Sequence, residues 1–252
     1  MKDKQQLYEG LLAEARRDPN IIGLVLFGSR GKGLETPHSD FDCCVVAKDE
    51  VVSEYQQKLD KLVEHSAEFD LWTLDIGSFS KRPSLEERYD FAHVSPQIDK
   101  TDGRLQRIID ENSRIPETEI HAFVNGRLDH YIDKVFRSIK CIRDERSLGG
   151  RLEAVGSVPA WLDAVFAVHN RRVRPYNSYL VWELDTYPLS GFPMTSVEIL
   201  GMIARILENG DCRTQQQLMK VSEQFFRAIG YDRVFDDWGG KDKWAMTWKP
   251  TT

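Results

Sequence analysis

A glycine followed by a serine closes an apolar run at Leu26-Phe27-Gly28-Ser29. Eleven residues beyond Ser29 stands Asp40, with Asp42 two further on. Each residue type suits one task. A glycine lets an anionic group approach the backbone closely, because no Cβ stands in the way. If the turn after it opens a short helix, the free N–H groups and the positive end of that helix favour an anion such as a phosphate. The Ser29 hydroxyl adds a donor, and Arg30 or Lys32 would add positive charge. Asp40 and Asp42 alternate along a strand-like run, so their carboxylates leave the same face roughly 6–7 Å apart. Two carboxylates so placed repel each other unless a cation sits between them. Hard Mg2+ prefers oxygen ligands of this kind and keeps positions open for substrate phosphates. A pair of such ions would activate an attacking hydroxyl and stabilise a pyrophosphate leaving group.

A third carboxylate would come from a neighbouring strand. Asp70, in Phe69-Asp70-Leu71, is flanked by apolar residues at mid-strand, where a charge is otherwise costly. Glu68 shares its face by parity and Asp75 lies near the strand end; Asp70 is preferred to both. Solvent-exposed aspartates on an edge strand would explain Asp40 and Asp42 equally well in isolation. Phe41, Cys43, Cys44, Val45 and Val46 make that strand a poor surface strand.

The elements that position these residues follow from periodicity. Residues 4–17 read as an amphipathic helix with Leu7, Leu11, Leu12 and Ala15 on one side, stopped by Asp18-Pro19-Asn20. Apolar runs at 21–27 and 41–47 read as strands, 51–64 as a helix, and 67–74 as a third strand by alternation. The polar segment 76–90 reads as a loop with a short helical piece. Residues 91–98 read as a fourth strand before the turn Asp99-Lys100-Thr101-Asp102-Gly103. From about residue 117 apolar residues recur every three or four positions, over 117–146, 150–170, 174–184, 195–208 and 213–229, as in a helical bundle. The change of pattern near 110–117, punctuated by Pro116, divides the chain into domains 1–115 and 116–252. The fold class is α+β: an N-terminal mixed sheet flanked by helices, then a C-terminal α-helical bundle.

Composition narrows the function. The 252 residues are 41% hydrophobic and 29% charged, with a formal net charge of -6, as in an ordinary globular protein and unlike a general binder of long nucleic acids. Residues 1–18 lack the apolar core of a secretory signal, and no apolar run is long enough to span a membrane. Cys43, Cys44, Cys141 and Cys212 form no C-x-x-C pair and read as buried thiols in a reducing cytoplasm.

An apolar residue before Gly-Ser, then Asp-x-Asp in an apolar strand, then an isolated acidic residue in a later strand resembles the DNA polymerase β-like nucleotidyltransferase superfamily. The stretch Pro37-His38-Ser39-Asp40-Phe41-Asp42, and the plan of a sheet domain followed by a bundle, are similar to aminoglycoside nucleotidyltransferases. The resemblance implies that Gly28 and Ser29 hold a triphosphate, with Arg30 and Ser39 beside them. It implies that Asp40, Asp42 and Asp70 are catalytic and bind the metal, two Mg2+ ions. In the helical half it points to the polar run His169 to Leu180, where Arg171, Arg174 and Tyr176 would contact the nucleotide. Ser178 stands where a lysine is expected, so the two arginines are the phosphate partners, suited to bidentate pairing. Glu153 is chosen as catalytic base over Glu145, Asp163, His38 and His169. The implied activity transfers a nucleoside monophosphate, AMP from ATP, to a hydroxyl of a small acceptor such as an aminoglycoside-like antibiotic, releasing pyrophosphate, in a resistance or a metabolic setting. The alternatives are transfer to a protein or an RNA end, and a non-catalytic nucleotide-binding regulator. The aromatic tail at 235–248 packs against the bundle or against a second copy in a homodimer.

Overall fold

The computed structural model describes residues 4–64 and 68–249. The chain divides into two compact units, residues 1–114 and 115–252. In the first, α1 (Lys4–Arg17) leads into β1 (Ile21–Leu26), the one-turn helix α2 (Gly28–Gly31), β2 (Phe41–Ala47), α3 (Val52–Val63) and β3 (Phe69–Asp75). The short helices α4 (Ile76–Phe79) and α5 (Arg88–Phe91), then β4 (Pro96–Asp99) and α6 (Arg104–Asn112), complete it.

The sheet has the order β3-β2-β1-β4. β1 runs antiparallel to both β2 and β4, while β2 and β3 are parallel. A parallel pair needs a crossover, and α3 supplies it. The central strands are covered on both faces, which is why they read as near-continuous apolar runs. Leu24, Leu26, Phe41, Cys43, Val45 and Leu71 pack with Tyr8 and Leu11 of α1 and with Tyr55 and Leu59 of α3. Val25, Phe27, Cys44 and Val46 pack on the other face with Phe79 of α4, Val94, and Leu105 and Ile109 of α6. By the two-residue period of a strand, Asp42 and Asp70 belong to this second face.

The fourth strand, expected over 91–98, starts later than the pattern put it. Residues 88–91 are helical, and the strand is confined to Pro96–Asp99. Proline tolerates the first position of a strand, and it biases Ser95 before it toward extended backbone. The expected loop 76–90 contains α4 and the start of α5. Ala67, at the start of the expected third strand, lies outside the described residues; β3 begins at Phe69.

The second unit consists of α7 (Ile120–Arg143), α8 (Ser147–Val168), α9 (Leu180–Thr186), α10 (Ser196–Asn209), α11 (Cys212–Ala228), α12 (Asp232–Asp236) and α13 (Lys241–Thr247). α7 and α8 meet closely at Gly150, whose carbonyl accepts from Ser138 Oγ at 2.7 Å. The fully buried Trp161 of α8 donates to Ser222 Oγ of α11 at 2.8 Å. The expected helix over 174–184 starts late: a 3-10 turn at Asn177–Tyr179 precedes α9, because Pro175 restricts the backbone before it. Trp238 and Trp244 of the tail pack on Phe136 of α7, with ring centroids 5.8 and 5.5 Å apart. Among the described residues, no helix is long and apolar enough to cross a membrane.

Candidate active site

β1 delivers the chain to the turn that carries Gly28. Phe27 N donates to Asp42 O at 2.8 Å, so the turn is pinned to β2 at the residue bearing the candidate carboxylate. Gly28 has φ +61, and a Cβ there would stand 2.0 Å from Asp42 Oδ2. Both facts call for glycine: the left-handed backbone, and a carboxylate occupying the space of a side chain. Gly31 is fixed for another reason, since its Cβ would lie 2.1 Å from the Leu26 carbonyl oxygen. α2 is a single turn, so its first N–H groups lack intrahelical partners while its dipole stays small.

Two residues expected at the nucleotide are engaged in fastening the turn. Arg30 donates from Nε to Asp40 O at 2.9 Å and from Nη2 to Ser39 O at 3.0 Å, and its guanidinium lies 3.9 Å over the Phe41 ring. Ser39 Oγ accepts from Ser29 Oγ at 2.8 Å and from Thr36 N at 2.9 Å. The loop that presents Asp40 is therefore bonded to the turn that presents Ser29.

The parallel register of β2 and β3 sets Asp42 directly opposite Asp70. Adjacent strands lie about 4.8 Å apart, so the two residues are lateral neighbours. Asp40 precedes β2 and is exposed, Asp70 is exposed, and Asp42 is half-buried. The other acidic candidates are occupied. Glu68 pairs with Lys4 Nζ at 3.4 Å, and Asp75 accepts from Ser78 N at 2.9 Å as the cap of α4. Those Ser78 bonds hold the Asp75 carboxyl below its ordinary value.

Asp42 carries the electrostatic signature of the group. Burial first, then the charges of Asp40, Asp70 and Asp90, push its carboxyl from 3.8 up to about 6. Among the described residues, no three His, Cys, Asp or Glu side chains stand close enough together to hold a metal ion. The donor chemistry nonetheless fits a hard divalent cation: the oxygens are all carboxylate, and their mutual repulsion is what a divalent charge relieves. Gly28 leaves the Asp42 carboxylate a space that any other residue would fill.

Three candidates in the second unit, Glu153, Arg174 and Arg171, have partners within it. Glu153 of α8 pairs with Lys134 of α7 at 2.7 Å. Arg174 pairs with Asp163 at 2.9 Å, and Arg171, at φ +59, lies 3.6 Å from Glu117. Tyr176 is 41% exposed. Two residues of the first unit act otherwise than the sequence suggests: Lys32, expected as a positive charge for the anion, and Asp90, which the sequence does not single out. Lys32 is bonded to carbonyls of the α5 turn rather than offered to a phosphate, and Asp90 contributes to the field on Asp42. Neither has a local signal, since each acts across a long sequence separation.

A family model described as "Nucleotidyltransferase domain" matches residues 9–138, from within α1 to within α7. No curated protein resembles the chain closely enough to match.

Proposed function

The chain belongs to the nucleotidyltransferase domain family, and on that premise we propose that it transfers a nucleoside monophosphate, AMP from ATP, to a hydroxyl of a small aminoglycoside-like acceptor. A nucleoside triphosphate is the substrate such a domain implies. The observation that carries the reading is the cross-strand pair Asp42–Asp70, with Gly28 kept bare against the Asp42 carboxylate.

In this reading Gly28 and Ser29 line the approach of the triphosphate, with the N–H groups of the α2 turn as donors. Asp40, Asp42 and Asp70 hold divalent ions, Mg2+ in the cell. When bound, these offset the charge that develops on the phosphoryl and pyrophosphate oxygens. The acceptor hydroxyl oxygen forms the new bond to the α-phosphorus while its proton passes to a base. The bond from the α-phosphorus to the oxygen bridging to the β-phosphate breaks, and pyrophosphate leaves with that electron pair. An acidic protein, at net charge -6, provides a favourable field for a cationic acceptor.

The test is pyrophosphate release from each nucleoside triphosphate with Mg2+ and a pool of aminoglycosides and other hydroxylated small molecules. Acceptor-dependent release is expected with ATP. Asp42→Asn should lower it by ~10³-fold or more, since several kcal/mol of transition-state stabilisation depend on the metal. An Asp42→Asn protein with a tenth of wild-type rate would remove Asp42 from the site. Tight triphosphate binding without release would transfer the reading to a macromolecular acceptor or a nucleotide-binding regulator.

A further inference from the structure

An arginine differs from a lysine in shape more than in charge: its guanidinium is planar, and its N–H bonds form a rigid fork. Arg30, two residues beyond Gly28, has both properties engaged. Its Nε donates to Asp40 O at 2.9 Å and its Nη2 to Ser39 O at 3.0 Å, so one fork grips two consecutive carbonyls. Its flat face lies over the Phe41 ring, 3.9 Å from the centroid. Phe41 is buried and stacks in turn on Tyr8 at 4.8 Å and on Phe69 at 5.1 Å. Phe69 is the register partner of Phe41, as Asp70 is of Asp42. Three successive residues, 39 to 41, are thus held by one side chain, itself seated on the aromatic stack that joins β2 to β3.

Asp40 needs such a hold more than Asp42 does. β2 begins at Phe41, so Asp40 lies one residue before the strand and is exposed. Asp42 is fixed within the ladder, where Phe27 N donates to its carbonyl at 2.8 Å. A carboxylate on a loosely held backbone loses conformational freedom each time it joins a cation, and that cost weakens binding. Bonds that fix the backbone beforehand remove it. Lys4 Nζ adds to the hold, donating to Pro37 O at 3.2 Å and to Ser39 O at 3.3 Å. Electrostatics alone gives no reason for Arg30 here, since a positive charge bonded to the backbone of a cation ligand opposes the cation. We propose that Arg30 is a positioning residue for Asp40: through the carbonyls of Ser39 and Asp40 and the ring of Phe41 it fixes the Asp40 backbone in advance, and so strengthens divalent-cation binding. This rests on the reading of Asp40, Asp42 and Asp70 as the cation ligands.

Mn2+ titration by calorimetry on the full chain tests it, because charge and position predict opposite signs. Removing a positive charge should by itself tighten Mn2+ binding. Arg30→Met should instead weaken it about five- to tenfold, the order of one residue's backbone freedom. Arg30→Lys, which keeps the charge and lacks the fork, should weaken it as well. Asp40→Asn removes the positioned group, so adding Arg30→Met to it should weaken binding no further. Without metal, hydrogen exchange over residues 34–42 should be faster in both Arg30 variants than in wild type. Exchange at the wild-type rate there would overturn the hold itself. Mn2+ binding at or above wild-type affinity in either variant would overturn the inference, and Arg30→Lys decides alone if Arg30→Met fails to fold. A further loss in the double variant would overturn it too. In each of these cases Mn2+ binding by wild type leaves the ligand reading intact. Absence of Mn2+ binding in wild type would instead overturn that reading, and this inference with it.

Discussion

Asp42 is held in a state the folded protein must oppose. Its carboxyl is raised from 3.8 to about 6, by burial first and by neighbouring carboxylates second, so the folded chain binds this proton more tightly than the unfolded chain does. The sign follows by linkage: without metal, the contribution to stability is fully present below about pH 4 and is lost as the pH rises through 6. Asp42→Asn abolishes the titration, so subtracting its melting temperature from that of wild type isolates the effect. Between pH 4.5 and 7.5, without metal, this difference should fall toward negative values. A flat difference would show that Asp42 is not strained. Gly28→Ala tests the same point from the opposite side. Forcing a Cβ into a left-handed backbone costs roughly 1–2 kcal/mol, and the methyl would also displace the Asp42 carboxylate. Thermal melting should show the loss, and Mn2+ binding should weaken with it; wild-type Mn2+ affinity would separate Gly28 from the cation. Asp40, Asp42, Asp70 and Gly28 are legible in the sequence because each sits in a run whose period or punctuation announces a face or a turn. Lys32 reads only as a charge for the anion, and its bonds to the 89–92 turn are not legible, because they span 57 to 60 residues and no local pattern encodes them.

The elements behave as their termini dictate. Gly31 ends α2 against the carbonyl of Leu26, and β1 is bonded to strands on both sides, so neither backbone has room to yield. Gly31→Ala should therefore cost about 1–3 kcal/mol in urea unfolding, the range for overpacking a fixed site. Gly126, exposed within α7 with nothing within 4 Å of an added Cβ, gives the contrast. There alanine should stabilise by up to about 1 kcal/mol through helix propensity alone. Equal effects at the two positions would refute the packing argument for the Gly28 turn. Strands β1, β2 and β3 could be read because burial on one or both faces writes itself into the hydrophobic pattern. The start of the fourth strand could not: Phe91 and Val94 suit a strand, but Phe91 closes the short helix α5, whose turn is bonded to Lys32 through the carbonyls of 89, 90 and 92, and the strand begins only at Pro96. α12 and α13, at five and seven residues, are too short to establish a helical period, so only their aromatics were visible.

At the scale of the molecule, the placement of the proposed cation site within the first unit can be measured. The Gly28 turn and the three aspartates all lie between residues 28 and 70, within the first unit. A sheet and a bundle bury apolar residues with different periods, which is the basis of the sequence expectation of a boundary near 110–117. In the second unit, Glu183 of α9 is 1% exposed and accepts from Arg172 Nη2 at 2.5 Å. Arg172 also donates to Tyr187 O at 2.9 Å, and its guanidinium lies 4.8 Å from the Phe166 ring centre. Removing one partner of a buried ion pair leaves the other charge uncompensated, at about 3–5 kcal/mol. Glu183→Ala should therefore lower the melting temperature of the chain substantially. Its Mn2+ affinity, measured well below the new melting point, should stay at the wild-type value, since no proposed cation ligand has been touched. A severalfold loss of Mn2+ affinity in Glu183→Ala that is still folded would mean that the cation site draws on the helical unit, and would undo its assignment to residues 28–70.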